Sequence, residues 1–291
     1  MNPTTRTRLK KLIGYPAFFS FAFGLMLYLT FPFDTVAQVA RAQAKSAGVE
    51  LEIGKLGPGF LGLKASRISL KMPKQPEQAK EPEPLFIDSV SVRPSLLPVG
   101  AKFSASLFGG TLEGNYGVLG SPKVKLRAKG INLLRSNAKA AVGLDLDGTL
   151  NAVVDLKVNP ADHSKTEGRI ALLGDGLIIN GGTIAHYDLP KIDLGRLEAE
   201  LKLEGGKANV TTFRANGKDV EASLEGEITL AAKATLSQLK LQLQFKPAED
   251  FLRRNSLIQT GLSFAMSKDS KGYYGGSVSG VLGKPRFQAK R

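Results

Sequence analysis

Apolar and polar residues alternate along most of the chain, and this period of two constrains the fold more than any other feature. In the segment 197–204 every odd position is Leu or Ala, and every even position is charged. The same alternation recurs over 142–158 and over 239–246. Successive side chains of a β-strand point to opposite faces of a sheet, so the pattern predicts strands with one apolar and one polar face. At roughly 8–12 residues per strand and turn, we expect about 15 antiparallel strands or more.

Two sheet architectures satisfy this pattern. In a long antiparallel sheet that is curved or groove-like, the apolar face would line an open groove. In a closed β-sandwich, the alternative, the same face would pack against itself. Periodicity does not separate the two, because Leu, Val and Ala suit both a groove and a core. The lining of a groove would include Leu201, Leu203, Leu239, Leu241, Leu243 and Phe245.

An uncharged apolar run over 12–33 stands close to the N-terminus. About 20 such residues cross a bilayer as a helix. The preceding cations predict a cytoplasmic N-terminus by the positive-inside rule; they are Arg6, Arg8, Lys10 and Lys11. A cleaved signal peptide has a shorter apolar core, of roughly 7–15 residues. We therefore expect a single-pass anchor in a bacterial inner membrane, with the bulk of the chain in the periplasm.

The predicted organisation thus has three parts. Residues 1–11 form a basic cytoplasmic tail, 12–33 form the transmembrane anchor, and 34–291 form a periplasmic β domain. The fold class is mainly β, with a transmembrane helix in front of the sheet.

A few segments of the β domain lack the period of two. Asp34 can cap a juxtamembrane helix over 34–48. The stretch 72–85 is charged and rich in proline, which cannot pair within a sheet, so it is predicted to be a loop. Further helices are expected over 248–258, after a proline suited to a first helical turn, and over 133–141.

Composition excludes several classes of site. The chain has no cysteine, which removes disulfides, thiolate nucleophiles, iron–sulfur clusters and cysteine-ligated zinc. Its two histidines, His163 and His186, are too few for a three-histidine zinc site. The sequence therefore predicts neither a metal site nor a cofactor.

One short stretch resembles an enzyme motif. Asp145-Leu-Asp147-Gly-Thr is similar to the nucleophile motif of haloacid-dehalogenase-type phosphatases, in which the first Asp attacks phosphorus and the second transfers protons. That family needs a helix after the motif, whereas 150–158 alternates as a strand. We therefore predict a non-enzymatic protein without catalytic residues, in which Asp147 and Gly148 form a hairpin turn.

The net charge of +14 concentrates in the first half of the domain. Four cations alternate with apolar residues and form a basic stripe on the polar face; they are Lys123, Lys125, Arg127 and Lys129. Such a stripe could contact anionic lipid or a partner protein. The alternative is a solvated face that deters edge pairing. No aromatic residue suited to base stacking lies in the stripe, so we expect no nucleic-acid binding.

Three glycine-rich stretches carry a family resemblance. They are Leu107-Phe-Gly-Gly-Thr-Leu-Glu-Gly114, its short echo Leu146-Asp-Gly-Thr-Leu150, and the C-terminal stretch 272–287. Together with the basic N-terminus and the apolar run, they resemble the type II secretion system protein N family and the wider AsmA-like group of periplasmic β proteins. The resemblance covers essentially the whole chain and transfers no catalytic residue.

The resemblance implies two alternative functions. One is an accessory component of the type II protein secretion system, anchored in the inner membrane and acting through contacts with other envelope proteins of that system. The other, from the AsmA-like relatives, is a lipid-binding or lipid-transfer groove between the inner and outer membranes. The expected partners are inner-membrane lipid, secretion-system proteins and phospholipid acyl chains.

Overall fold

The alternating segments of the sequence form β-strands in a computed structural model. It describes residues 18–19, 22–26, 30–46, 49–59, 61–71, 84–96, 99–119, 122–136, 139, 143–159, 161–184 and 187–290. The strands are β1 (Glu50–Gly59), β2 (Gly62–Lys71), β3 (Leu85–Leu96), β4 (Val99–Leu107), β5 (Gly110–Gly117), β6 (Lys123–Asn132), β7 (Leu144–Lys157), β8 (Glu167–Ile184), β9 (Tyr187–Leu189), β10 (Ile192–Glu204), β11 (Lys207–Asn216), β12 (Val220–Thr229), β13 (Gln238–Pro247), β14 (Tyr274–Val281) and β15 (Lys284–Ala289).

All 15 strands belong to one antiparallel sheet. Each strand pairs with the next along the chain, except that the short β9 pairs with β8 alone and β8 continues to β10. The path runs from β1 at one edge to β15 at the other, so the sheet is open. The described chain forms no second sheet. The mainly β prediction is confirmed, and the closed β-sandwich alternative is wrong because every strand continues the same meander.

Helices flank the sheet at two places. Helix α1 (Phe33–Ser46) packs against β1 and matches the helix predicted over 34–48. Between β13 and β14 lie α2 (Glu249–Arg254) and α3 (Ser256–Ala265), which meet at Asn255. The predicted helix over 248–258 is therefore present, but the helical segment breaks once and continues further.

Two predicted segments differ from the structure or lie outside it. Over 133–141, the described residues contain a 3₁₀ turn at Leu134–Ser136, and position 139 is helical. Residues 72–83 of the predicted loop lie outside the described residues, and β3 already begins at Leu85.

The predicted anchor over 12–33 lies partly outside the described residues. Its described positions 18–19, 22–26 and 30 are helical. Among the helices in the described part of the chain, none combines the length and the apolarity needed to cross a membrane. The tail over 1–11 lies outside the described residues.

Irregular pairing interrupts the sheet at several points. The register shifts between β3 and β4, β6 and β7, β7 and β8, β8 and β10, β10 and β11, and β11 and β12. One such shift lies between Asp147 and Thr149 inside β7. The hairpin turn predicted at Asp147 and Gly148 is therefore wrong, because a bulge absorbs the glycine within a continuous strand. Bulges bend strands and increase the local twist.

Candidate functional site: an apolar and a charged row on opposite faces

One row of cross-strand neighbours is apolar across the whole sheet. Following the register from edge to edge, the row contains Pro58, Leu63, Val92, Phe103, Gly114, Leu126, Val154, Ile170, Leu201, Val210, Gly226, Leu241, Val278 and Phe287. We call it the apolar row. It has one residue from each strand of the path, and none of these residues carries a polar side chain. Since paired residues share a face, this row forms a continuous apolar strip on one side of the sheet.

The six residues predicted to line a groove lie on this apolar face. Leu201 and Leu241 belong to the apolar row itself. Leu203 and Leu239 occupy the adjacent row on the same face, joined through Ala208 and Ile228. The remaining two, Leu243 and Phe245, continue the face along β13.

Burial separates the two faces of β13. Leu239 and Leu241 are 8% and 7% exposed, and Leu243 is half-buried. The intervening Lys240 and Gln242 are exposed. In the described part of the chain, no second sheet covers the apolar side.

Aromatic rings fill the gaps that glycines leave on the apolar face. A β-carbon on Gly114 would lie 2.5 Å from Cζ of Phe103, so this ring lies over the glycine. In the same way Phe287 lies over Gly276, where a β-carbon would be 2.3 Å from its Cζ. An aromatic ring over a neighbouring glycine keeps an apolar face continuous where a side chain is missing.

The opposite face carries a charged row. The register joins Arg93, Lys102, Asn115, Lys125, Asp155, Arg169, Lys202, Asn209, Glu227, Lys240, Ser279 and Arg286. Seven of these twelve residues are cations and two are anions. All are polar, in contrast to the apolar row. Along these two rows, the sheet therefore has an apolar strip on one side and a predominantly basic strip on the other.

The predicted basic stripe lies in the middle of this charged face. Lys123, Lys125, Arg127 and Lys129 are all exposed on β6. Lys125 forms an ion pair with Asp155 at 3.0 Å. Such exposed pairs contribute little to stability, because water screens them.

Like charges also pair on β3 and β4, which β5 separates from the stripe. Arg93 and Lys102 are cross-strand partners, an arrangement that disfavours pairing. Together with Arg127 and Arg169 they border a shallow depression of about 740 Å³ on the charged face. Five cations and two carboxylates, Glu113 and Asp155, line this depression, and binding of anionic groups by the stripe stays a prediction.

Carboxylates elsewhere on the charged face are held ionised by lysines. A hydrogen bond from Lys202, at 2.6 Å, lowers the pKa of Glu204 below its ordinary value. Lys207 does the same for Glu227 at 2.9 Å and lowers its pKa. These pairs reduce the net positive charge over β10–β12, whereas the strands β3–β6 hold six cations and two carboxylates.

A buried carboxylate ties the helical segment to the sheet. Asp219 is 6% exposed, and its carboxylate accepts the Asp193 N–H at 2.9 Å and Nη2 of Arg254 at 2.7 Å. Its main-chain carbonyl accepts the N–H of Ala248 at 2.8 Å. Sequence reasoning missed this residue, because its partners lie 26 and 35 positions away and share no motif with it.

A loop after α3 is fastened in a similar way. The Asp269 carboxylate accepts main-chain N–H groups of Tyr273 and Lys271 at 2.8 and 2.9 Å, which lowers its pKa. The Tyr273 hydroxyl donates to Glu221 at 3.0 Å, and this hydrogen bond raises the pKa of the tyrosine. The end of the helical segment is thus attached to β12 as well.

The enzyme-like motif lies in ordinary strand structure. Asp145 and Asp147 belong to β7, and the Asp147 carboxylate accepts the N–H of Gly148 at 2.6 Å. His163 is exposed in a 3₁₀ turn, and His186 lies outside the described residues. Within the part of the chain that the structure describes, no three His, Asp or Glu side chains gather in a way that could hold a metal ion.

The chain was compared with protein-family models, with curated proteins and with solved structures. None of them matches it at a significant level. The resemblance to the type II secretion system protein N family and to AsmA-like proteins therefore stays a prediction from the sequence motifs.

Proposed function

We propose that this protein binds acyl chains of phospholipids along the apolar face of its sheet. The observation that carries the proposal is the apolar row, which crosses all strands of the path without a polar side chain. Acyl chains are long and uncharged, and a continuous apolar strip offers them contacts without a polar group to desolvate. The six predicted lining residues lie in this strip or directly beside it.

The size of the apolar face supports a large apolar ligand. Fourteen strands spaced by about 4.8 Å span roughly 60 Å, and ten-residue strands are about 33 Å long, so the face covers on the order of 2,000 Å². Because no second sheet of the described chain covers this face, an apolar ligand is the simplest way to cover it.

We further propose that the sheet bends towards its apolar side and forms a groove. The bulges between six strand pairs supply local bends, and the apolar residues of β13 are more buried than their polar neighbours. A curved strip would hold acyl chains in its interior and leave the charged face to water. The protein then acts by binding, without catalysis and without a cofactor.

The source of the lipid follows from the proposed location. The uncharged run over 12–33 and the four cations before it support a transmembrane anchor in the inner membrane. Helix α1 leads from this run directly to β1, so one edge of the sheet would lie next to the bilayer. Lipids of that membrane are therefore the proposed ligands, and the sheet would extend from it into the periplasm.

A fluorescence experiment tests the acyl-chain proposal. The chain lacks cysteine, so Leu243→Cys and Gln244→Cys each place one fluorophore, on the apolar and on the charged face of β13. A fatty acid with a spin label in its acyl chain should quench the label at position 243 strongly and that at 244 weakly. Equal quenching of both labels, or none at 243, would refute binding along the apolar face.

A second candidate function is the accessory role in type II secretion. The observation that favours it is the sheet edge at β15, which offers main-chain groups to an added strand of a partner. Most of β15 is exposed. Deleting the gene should leave normally exported enzymes in the periplasm, and the intact gene should restore export. Unchanged export would argue against this role.

A further inference from the structure

Helix α3 is apolar on two sides. Ile258 and Leu262, one helical turn apart, are half-buried and face the protein. Leu257 and Phe264 lie two turns apart on another stripe, and they are 88% and 86% exposed. A helix that packs on a domain through one face normally presents a polar face to water. The outward stripe of α3 therefore needs an explanation other than packing within the chain.

Charged residues flank α3 in the sequence, but the helix itself contains none. The helix has no ionisable residue, and the stretch 251–268 contains no Asp or Glu. Cations lie on both sides of the helix: Arg253, which pairs with Asp250, and Arg254, which pairs with Asp219, precede it, and Lys268 follows it. Exposed Leu and Phe close to cations are features of helices that lie in the surface of an anionic bilayer.

The position of α3 is fixed with respect to the sheet. The Asp219 carboxylate holds Arg254 at the end of α2, and α2 leads into α3 through Asn255. Ten strands of the path separate β13 from β1, a distance of about 50 Å along the sheet. The outward stripe therefore lies far along the sheet from the edge that adjoins the N-terminal run.

We propose that α3 inserts Leu257 and Phe264 into the surface of an anionic phospholipid bilayer. The inference rests on the proposed function and deepens it. The first lipid surface is the membrane of the N-terminal run, and α3 would bring the far end of the apolar face to a second one. Lys268 and Arg253 would meet the lipid headgroups while Arg254 stays paired with Asp219, and the two apolar side chains would reach the acyl region. Lipid could then enter or leave the apolar face close to α3.

An environment-sensitive dye on α3 tests this proposal. Gly261 lies on the outward stripe, and no atom lies within 4 Å of a β-carbon built there, so Gly261→Cys carries the dye without steric conflict. The full chain is mixed with vesicles of phosphatidylcholine containing 30% phosphatidylglycerol. We expect a blue shift of the emission, smaller with phosphatidylcholine alone. An unchanged spectrum with the anionic vesicles would overturn the proposal.

Substitutions separate insertion from other contacts. In the labelled chain, Leu257→Gln with Phe264→Gln should weaken the vesicle-induced shift at least fivefold. The matched control is Leu236→Gln with Leu282→Gln, which replaces exposed apolar residues at the opposite end of β13 and β14 and should leave the shift intact. Equal shifts in all variants would refute a specific role of α3.

Two further measurements distinguish bilayer insertion from self-association and from acyl-chain binding. If sedimentation without lipid shows a dimer that Leu257→Gln with Phe264→Gln dissociates, the stripe binds a second copy and the bilayer proposal is wrong. Quenching at position 243 by the spin-labelled fatty acid should persist in the α3 variant, because the apolar face is intact there. If the label at position 243 is not quenched in the parent chain but the dye on α3 still responds to vesicles, the acyl-chain proposal is refuted and the bilayer proposal is not.

Discussion

Replacing Gly226 by valine should lower the free energy of unfolding by about 3–5 kcal/mol. Gly226 lies in the apolar row between Val210 and Leu241, with φ at +129°. A β-carbon there would lie 2.3 Å from the carbonyl oxygen of Lys240, well inside van der Waals contact. The neighbouring strand would have to move, because the obstacle is main chain and cannot rotate away. Thermal unfolding of the full chain in mild detergent, followed by circular dichroism, measures the loss.

Gly57→Val is the matched control for this substitution. Gly57 also lies within a strand, β1, but no atom lies within 4 Å of a β-carbon placed on it. Valine favours strands over glycine, so this variant should be as stable as the parent or slightly more stable. A similar loss in both variants would mean that any side chain in place of a strand glycine is harmful. The close contact at Gly226 would then not be the cause.

The sequence predicts the strands well where one face is apolar. The segments that form β10 and β13 alternate over their whole length, since each has to place every second side chain on the same side of the sheet. The same alternation brings Leu201 and Leu241 into one row, although 40 positions separate them. The row itself depends on the register between strands, which the sequence of one strand does not contain.

Other features depend on contacts that are distant in the sequence. The bulge at Gly148 resembles a turn signal locally, and only pairing of β7 with β8 on both sides of it makes the strand continuous. Helix α3 extends beyond the predicted segment because its second apolar stripe obscures the helical period. Asp219 acts through partners in β10 and α2, which no local pattern identifies.

The open edge-to-edge meander has a consequence for how ligand binding and folding are coupled. Each strand contacts chiefly its two neighbours, so a local change on the apolar face should alter binding there without unfolding distant strands. The charged face is formed by the alternate residues of the same strands. Substitutions at adjacent positions of one strand therefore test the two faces separately, with the same main-chain surroundings.

Replacing Leu243 by aspartate should weaken acyl-chain binding at least tenfold. Leu243 is half-buried on the apolar face of β13, between Leu224 of β12 and Gly276 of β14, and Phe287 lies over that glycine. A carboxylate at this position has to keep its water, so an acyl chain that covers it loses the contact or leaves a charge without solvent. A tenfold loss corresponds to about 1.4 kcal/mol, a modest part of the cost of desolvating a carboxylate. Titration with a fluorescent fatty acid measures the dissociation constant.

Gln244→Asp makes this test specific to the apolar face. It introduces the same residue at the next position of the same strand, where the side chain is exposed on the charged face. Aspartate disfavours strands at both positions, so a general weakening of β13 would affect the two variants alike. Leu243 and Gln244 differ mainly in the face to which they point. If acyl chains lie on the apolar side, Leu243→Asp should therefore displace them and Gln244→Asp should not. Equal affinities in both variants would place the fatty acid elsewhere on the protein.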